Sequence, residues 1–379
     1  MQWRVWAGYY SAISYETNHD REYFAVRHSA AMIDVSPLHK YHISGPDALR
    51  LVDRVVTRRM FKSRVGQVYY TCWCNDQGKV IDDGTVARIA EDAFRITSAN
   101  PSLNWFGGAA RGLKVKIEDE SASLAALALQ GPTSREILKR VADGDLEGLK
   151  YFRVMDSRIG SIPVAISRTG YTGDLGYEIW VSSRRAVKLW DALLEGGKDY
   201  GITPAGLNAL DLTRIEAGYI LIDVDFISAR RAISESQKST PFEIGLDWTV
   251  HLDKEGFIGR RALVEEQRRG PRRRIVGLEI DWEELEKLYD QAGLPPQLPA
   301  AAWREIVPLT VPGGRQVGWA SSGCWSPTLK KYIAIASVNP DFSETGTRLR
   351  MDSIVDYQKK RVTASVVPRP FFDPPRKRS

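Results

Sequence analysis

The sequence predicts an α+β fold that ends in a separate β domain, and three observations carry that prediction. A strand, a Gly-Pro break and a short helix follow one another at Tyr41–Val52, and the same order returns at Leu127–Leu138. Beyond about Gly259 the texture changes to a basic linker, one acidic helical piece and then short strands rich in turn residues, which reads as a small β-barrel or sandwich. With 379 residues, 43% of them hydrophobic, the chain is long enough to bury a large core in two or three domains.

Each element follows from its own residues. Tyr41-His42-Ile43-Ser44 alternates as a strand, Gly45-Pro46 breaks it, and Asp47 is placed to cap the helix carrying Ala48, Leu49, Leu51 and Val52. Leu127-Ala128-Leu129-Gln130 is again a strand, Gly131-Pro132 again the break, and Thr133 or Ser134 precedes Arg135-Glu136-Ile137-Leu138. Two such units suggest an internal duplication. Between them, strands are expected at Val68–Trp73, Val80–Ile89 and Phe94–Thr97, with Asn75-Asp76-Gln77-Gly78 as a turn. Residues Arg184–Tyr200 and Gly206–Ala217 carry helical periodicity.

Composition narrows the function classes. The net charge of +6 is concentrated in Arg268-Arg269, Arg272-Arg273-Arg274 and the run Pro375-Arg376-Lys377-Arg378-Ser379. A solvated face and a tail account for these clusters, and without a nucleic-acid motif no nucleic-acid partner is expected. No apolar run is long enough to span a bilayer, and the Met1-Gln2-Trp3 start lacks a signal-peptide pattern, so a cytoplasmic location without membrane attachment is expected. Cys72, Cys74 and Cys324 are too few for a disulfide framework. On a strand, the first two thiols share one face. With no second Cys/His pair at ligand spacing they read as small apolar side chains, and no metal is expected.

Chemistry concentrates in the run from Arg168 to Glu178, where Gly170, Gly173 and Gly176 fall three apart among aromatics and acids. Glycine at that density lets a backbone turn tightly or approach a ligand. Tyr171 could stack on a flat polar ligand, and Glu178, on the strand that follows, could accept two N–H donors from an amidine-like edge. The same run also reads as a glycine-rich hairpin with surface acids. A second concentration of acid is Asp82-Asp83 in an otherwise apolar strand. Alternation sends these carboxylates to opposite faces, one to solvent or a turn cap and the other into a pocket, where it could hold an amine or take up a proton. A pair of turn-flanking acids is the competing reading. In the helix Gly206–Gly218, Asp211 and Arg214 stand at i, i+3 and can pair. The glycine spacing does not match a dinucleotide fingerprint, and no Walker A loop is present.

Taken in order, these segments resemble the aminomethyltransferase (glycine-cleavage T-protein) family of tetrahydrofolate-binding proteins. The resemblance runs over most of the chain, through Ile33-Asp34-Val35-Ser36, Gly78 to Asp83, Ala128 to Pro132, Arg168 to Glu178, Leu207 to Gly218, Ser322 to Leu329 and Pro370 to Pro374. It implies a three-domain, cloverleaf-like fold around a central funnel, with residues 1–40 and 125–258 forming one α+β domain, 41–124 a second interleaved with it, and 259–379 a C-terminal β-barrel. It also implies tetrahydrofolate in the funnel. Glu178 would grip the pterin, Tyr171 and Tyr70 would line its pocket, and Asp83 would be the catalytic group near the folate nitrogens. Leu38, Ser98 and Asn100 fall where the family also contacts folate.

Two local departures and one insertion bear on the substrate. Where the family helix reads Ala-Arg-Asp, this chain has Ala209-Leu210-Asp211, so a positive group expected near the site is missing. The family's Asp-Val-Ser-His-Met-Gly has become Asp34-Val35-Ser36-Pro37-Leu38-His39, and an acidic, aromatic insertion occupies Asp281–Trp303. The resulting expectation is a divergent branch that moves a methyl or aminomethyl-derived carbon from a small substrate to tetrahydrofolate, a demethylase or methyltransferase of one-carbon metabolism. Any redox or carrier-protein step would be supplied by a separate partner. The alternatives are glycine-cleavage aminomethyltransferase acting on a lipoyl-bound group, and a non-catalytic folate-binding regulator.

Overall fold

A computed structural model describes residues 2–379. Two open sheets and a closed barrel organise the chain, preceded by a hairpin of Gln2–Trp6 and Tyr9–Ser14. The six-stranded sheet runs Val154–Ile159, Ile162–Ser167, Gly176–Ser182, Leu124–Gln130, Ala30–Asp34 and Ile202–Pro204, with only the last pair parallel. The five-stranded sheet runs Val68–Cys74, Val80–Ala90, Ala93–Ser98, His39–Ser44 and Lys116–Asp119. The barrel closes in the order Arg274–Ile280, Lys331–Val338, Gln316–Ser326, Val307–Thr310, Arg348–Val355 and Gln358–Val367, which selects barrel over sandwich for this region. Among the described residues no helix is long and apolar enough to cross a membrane.

The expected strands form, and the two repeated units share more than their order. Both breaks place glycine at positive φ, Gly45 at 119° and Gly131 at 129°. A Cβ would lie 2.8 Å from the Lys114 carbonyl oxygen at the first and 2.5 Å from that of Ser29 at the second. Only glycine fits where backbone meets backbone that closely.

The helix caps differ from expectation. Asp47 precedes the helix Ala48–Val55 but its carboxylate accepts from the Lys114 backbone N–H at 2.8 Å, tying helix entry to the neighbouring loop instead of to the helix's own amides. Thr133 likewise donates to the Tyr200 carbonyl at 3.2 Å rather than capping Ser134–Val141. The charged tail also departs from a solvated end. Arg376 binds Asp174 at 2.7 and 2.9 Å, and Arg168 donates to the backbone oxygen of Ser379. Because Asp174 is fully buried, its charge requires partners, and the tail supplies one.

The helix Leu207–Glu216 is the hub where the parts meet. Glu216 accepts from Tyr23 at 2.5 Å, from Arg27 at 2.9 and 2.6 Å and from Ser326 of the barrel at 2.5 Å, all with buried side chains. The Glu216 backbone oxygen takes the N–H groups of Phe371 and Phe372, whose ring lies 4.3 Å beneath the Arg27 guanidinium. On the adjoining face, Arg214 spans Asp211 at 2.8 Å and Asp225 at 2.6 Å, the latter also held by Ser321 and Ser322 of the barrel. The family-like motifs at Ser322–Leu329 and Pro370–Pro374 therefore clamp this helix.

Candidate functional site

The hairpin Ile162–Ser167 and Gly176–Ser182 carries the glycine-rich run as its connecting loop. Its glycines serve packing and not close approach to a ligand. A Cβ on Gly170 or Gly176 would lie 2.0 or 2.3 Å from the Gln130 amide oxygen. Gln130 fills the space between them and donates to the Thr169 and Tyr177 carbonyls at 3.3 and 3.2 Å. Gly173, at φ 74°, lets the loop lie on Ala217 of the hub helix.

Glu178 pairs in register with Ser167 on one side and Ala128 on the other, in the middle of its sheet. Thr169 donates to one of its oxygens at 2.6 Å. Burial raises its pKa above the usual carboxylate range, with the Thr169 hydrogen bond opposing. The cleft it faces is lined by Thr85, Thr97, Arg95, Ser167 and Trp180 and holds only about 10 Å³ of free space. That is room for one water.

Tyr70 and Asp83 lie on neighbouring strands, where Tyr70 pairs with Thr85 and Asp83 with Cys72. The Tyr70 hydroxyl donates to Asp83 at 2.5 Å. Its ring stacks on Trp248 at 5.9 Å, and Tyr171 stacks on Tyr219 at 5.5 Å while donating its hydroxyl to the Ile220 carbonyl. Tyr171 stands within electrostatic reach of both Tyr70 and Asp83. Tyr70, Asp83, Tyr171 and Glu178 each keep part of their surface open although protein surrounds them. Such a combination marks the wall of a concavity, and it excludes the surface-acid reading of Glu178.

The two aspartates divide as alternation requires. Asp82 is fully buried and caps the turn, accepting from the Asn100 N–H at 2.9 Å and the Asp83 N–H at 2.8 Å. Burial raises its pKa well above the ordinary range, with the Asp83 charge adding to the effect. Asp83 opens toward the concavity, and burial raises its pKa to about 6 against the lowering hydrogen bond from Tyr70. The two carboxylates are close enough to titrate as one coupled pair, with burial raising both. The Asp83 carboxylate meets Tyr70 on the neighbouring strand and not the turn that Asp82 caps.

The remaining sequence candidates play different parts. Ser98 is buried and spends its hydroxyl on the Asn100 carbonyl at 2.8 Å, so it shapes the turn. Asn100 presents a buried side-chain amide nitrogen with no protein partner among the described residues, a donor available to a ligand. Leu38 is partly buried against an apolar cluster that also contains Val35 and Trp180. Cys72 and Cys74 share one buried face with Val80 and Ile220. Trp248, Tyr219 and Trp180 were not visible as site residues in the sequence, because only the fold stacks them on Tyr70 and Tyr171 or turns them into the cleft. A cavity of about 400 Å³ lies against the barrel at Phe242, Asp247, Arg274 and Arg369 and contains none of the sequence candidates. The enclosed carboxylates and stacked aromatics lie apart from it.

This arrangement can be set beside known proteins. The GCVT N-terminal domain family model matches residues 1–254, and the glycine cleavage T-protein C-terminal barrel domain model matches residues 273–373. The chain belongs to the glycine-cleavage T-protein family. Among its relatives, an aminomethyltransferase of Halothermothrix orenii is 34% identical over 355 residues, 93% of this chain and 90% of that protein. A trimethylamine-oxide aldolase of Ruegeria pomeroyi is 38% identical over 370 residues, 94% of this chain but 43% of that protein. The chain thus spans less than half the length of the Ruegeria relative. The crystal structure of glycine cleavage system aminomethyltransferase T from Bartonella henselae superposes with a TM-score of 0.83 at 23% identity, covering 98% of this chain and 94% of that one. That likeness establishes the family fold of mixed helices and sheets with a C-terminal barrel.

Proposed function

We propose that this chain is a tetrahydrofolate-dependent transferase that moves a methyl or aminomethyl-derived carbon from a small donor to the folate. The observation that carries the reading is Asp83, enclosed at the wall of the concavity, hydrogen-bonded by Tyr70 and half-titrated near pH 6. The donor set suits a reduced pterin. Glu178 keeps one carboxylate oxygen clear of Thr169 for adjacent ring N–H groups, and the Asn100 amide offers a donor. Tyr70 and Tyr171 offer aromatic edges, each ring already backed by a second aromatic.

Tetrahydrofolate, when bound, supplies the secondary-amine nitrogen that receives the carbon. Asp83, ionised above about pH 6, accepts the proton that such a nitrogen sheds or stabilises positive charge on the incoming carbon unit. Tyr70 fixes which carboxylate oxygen faces the reactants. Glu178 orients the ring so that the nitrogen meets Asp83 and not solvent.

A small amine donor is favoured by the 38% identity to a protein whose name carries trimethylamine oxide, and by Leu210 in place of the family's arginine. Aminomethyl transfer from a lipoyl carrier is the second reading, resting on the relatives named aminomethyltransferase. Incubation with tetrahydrofolate and a panel of methylamines, sulfonium compounds, methyl ethers and aminomethyl-lipoyl carrier separates the two by which donor yields 5-methyl- or 5,10-methylene-tetrahydrofolate. Tight folate binding with no product from any donor would instead assign a regulator.

A further inference from the structure

The barrel ladder between Arg274–Ile280 and Gln358–Val367 stops at the pair Gly277 and Val367. Pro368 comes next, has no N–H to donate, and takes the chain off the strand. On that side the edge from Arg274 to Val276 is left without a strand partner, and the space opens into the cavity of about 400 Å³ between the barrel and the segment carrying Phe242, Gly245 and Asp247.

Arg369 lines this cavity. Its stem lies over Gly218 and its guanidinium over Gly245, two glycines at φ 67° and 72°. A Cβ on Gly218 would fall 2.4 Å from the Arg369 Cγ, and one on Gly245 would fall 2.4 Å from a terminal nitrogen. Bare backbone at both positions admits the side chain. One terminal nitrogen donates to the Gly218 carbonyl at 2.8 Å. A guanidinium carries five N–H donors, and among the described residues no other protein acceptor meets those of Arg369.

Arg274 stands on the cavity rim, exposed and without an ion pair among the described residues. Asp247 also lines the cavity but pairs with neither arginine. Burial lowers the Arg369 pKa, and Asp225, Tyr70 and Asp247 oppose that only from a distance. Two guanidinium groups against one unpaired carboxylate leave the lining net positive, and the Thr345 hydroxyl adds a donor. The planar donor fork of arginine matches carboxylate and phosphate oxygens, and the volume falls in the range of small-molecule pockets.

We propose that this cavity is a second ligand site, separate from the concavity, which takes a small dianion through carboxylate or phosphate oxygens. Arg369 binds it from the floor and Arg274 from the rim. The site stands independently of the folate reading. It lies one residue away from both aromatic stacks, because Gly218 precedes Tyr219, stacked on Tyr171, and Asp247 precedes Trp248, stacked on Tyr70. Tetrahydrofolate therefore serves as the competitor that separates the two sites.

Titration calorimetry on the full chain uses sodium phosphate and sodium succinate, with sodium chloride at matched ionic strength as the control for screening. Phosphate, succinate or both bind with one equivalent per chain, and chloride gives no saturable heat. The anion that binds identifies the oxyanion. Arg369→Gln weakens that binding about tenfold or more, through loss of a charge-assisted contact. Arg274→Gln, on the exposed rim, weakens it about threefold. Because Arg369 also holds Gly218, R274Q decides the matter if R369Q does not fold. Binding persists in the presence of tetrahydrofolate. No binding above chloride, wild-type affinity in R274Q, or displacement by tetrahydrofolate overturns the second site. Failure of the wild type to bind tetrahydrofolate strikes the folate reading alone and leaves this site standing.

Discussion

Tyr70 holds Asp83 through a 2.5 Å hydrogen bond between neighbouring strands of one sheet, while Asp82, next to it in sequence, turns away to cap the Ser98–Asn100 turn. Two adjacent carboxylates thereby acquire different work. Burial raises both pKa values, and only Asp83 meets Tyr70 at the wall of the concavity.

Asp83→Asn removes the carboxylate that Tyr70 holds while preserving shape. Turnover falls by about a hundredfold or more, and tetrahydrofolate affinity stays within about threefold of wild type, within the scatter expected of a contact made mainly in the transition state. Single-turnover rates and equilibrium titration, run on the same preparation, check both halves.

Tyr70→Phe deletes a hydrogen bond that lowers the Asp83 pKa, so that pKa rises further above its present value of about 6. The acid limb of kcat/KM moves to higher pH by about one unit, which corresponds to about 1.4 kcal/mol of lost hydrogen bonding. The stability consequence has its own sign. Asp83 holds its proton to about pH 6 when folded, against 3.8 ordinarily. Native stability from this group therefore declines as pH rises between those values. In Asp83→Asn that decline disappears from the pH dependence of the melting temperature.

Glu178→Gln replaces an acceptor-only carboxylate by an amide whose N–H₂ faces the ring donors. Loss of a charge-assisted hydrogen bond costs about 1.5–3 kcal/mol, so folate affinity drops roughly ten- to a hundredfold while kcat at saturating folate changes little. Unchanged affinity would remove Glu178 from the pterin clamp.

Glu216→Ala strips Arg27, Tyr23 and Ser326 of their common acceptor. Breaking a buried ion pair costs up to roughly 3–5 kcal/mol, reduced here because Arg27 keeps Asp174 at 3.3 Å, and denaturant unfolding reads the loss directly. Double-mutant cycles with Arg27→Met apportion it.

Gly170→Ala drives a methyl into the Gln130 amide, at 2.0 Å from its oxygen, whereas Gly107→Ala, in the helix Leu103–Ala109, meets nothing within 4 Å. The first destabilises by about 1–3 kcal/mol through overpacking. The second stabilises by about 0.5–1 kcal/mol through helix propensity. Thermal melts of the two variants shift in opposite directions.

Much of this was legible from local pattern alone. Alternation announced the strands that carry Tyr70, Asp83 and Glu178, the Gly-Pro breaks announced both repeated units, and i, i+3 spacing announced the Asp211–Arg214 pair. These are short-range signals, set by a backbone repeat of two residues in a strand and 3.6 in a helix, so a window of ten residues contains them. The purpose of the glycines at 170 and 176 was not contained in that window. Glycine permits both a ligand and a packed side chain, and only the folded chain brings Gln130 between them.

By itself, then, the sequence determined the α+β and β-barrel classes, the strand placement of the two key carboxylates and the resemblance that the family matches establish. Tertiary structure alone decided which aromatics back Tyr70 and Tyr171, that the basic tail is docked, and that Arg304 meets Asp211 across 93 residues of chain. The reason is physical. Charge pairing and stacking depend on distances of a few ångströms between segments remote in sequence, and those distances exist only once the hydrophobic cores of the sheets and the barrel have brought the segments together.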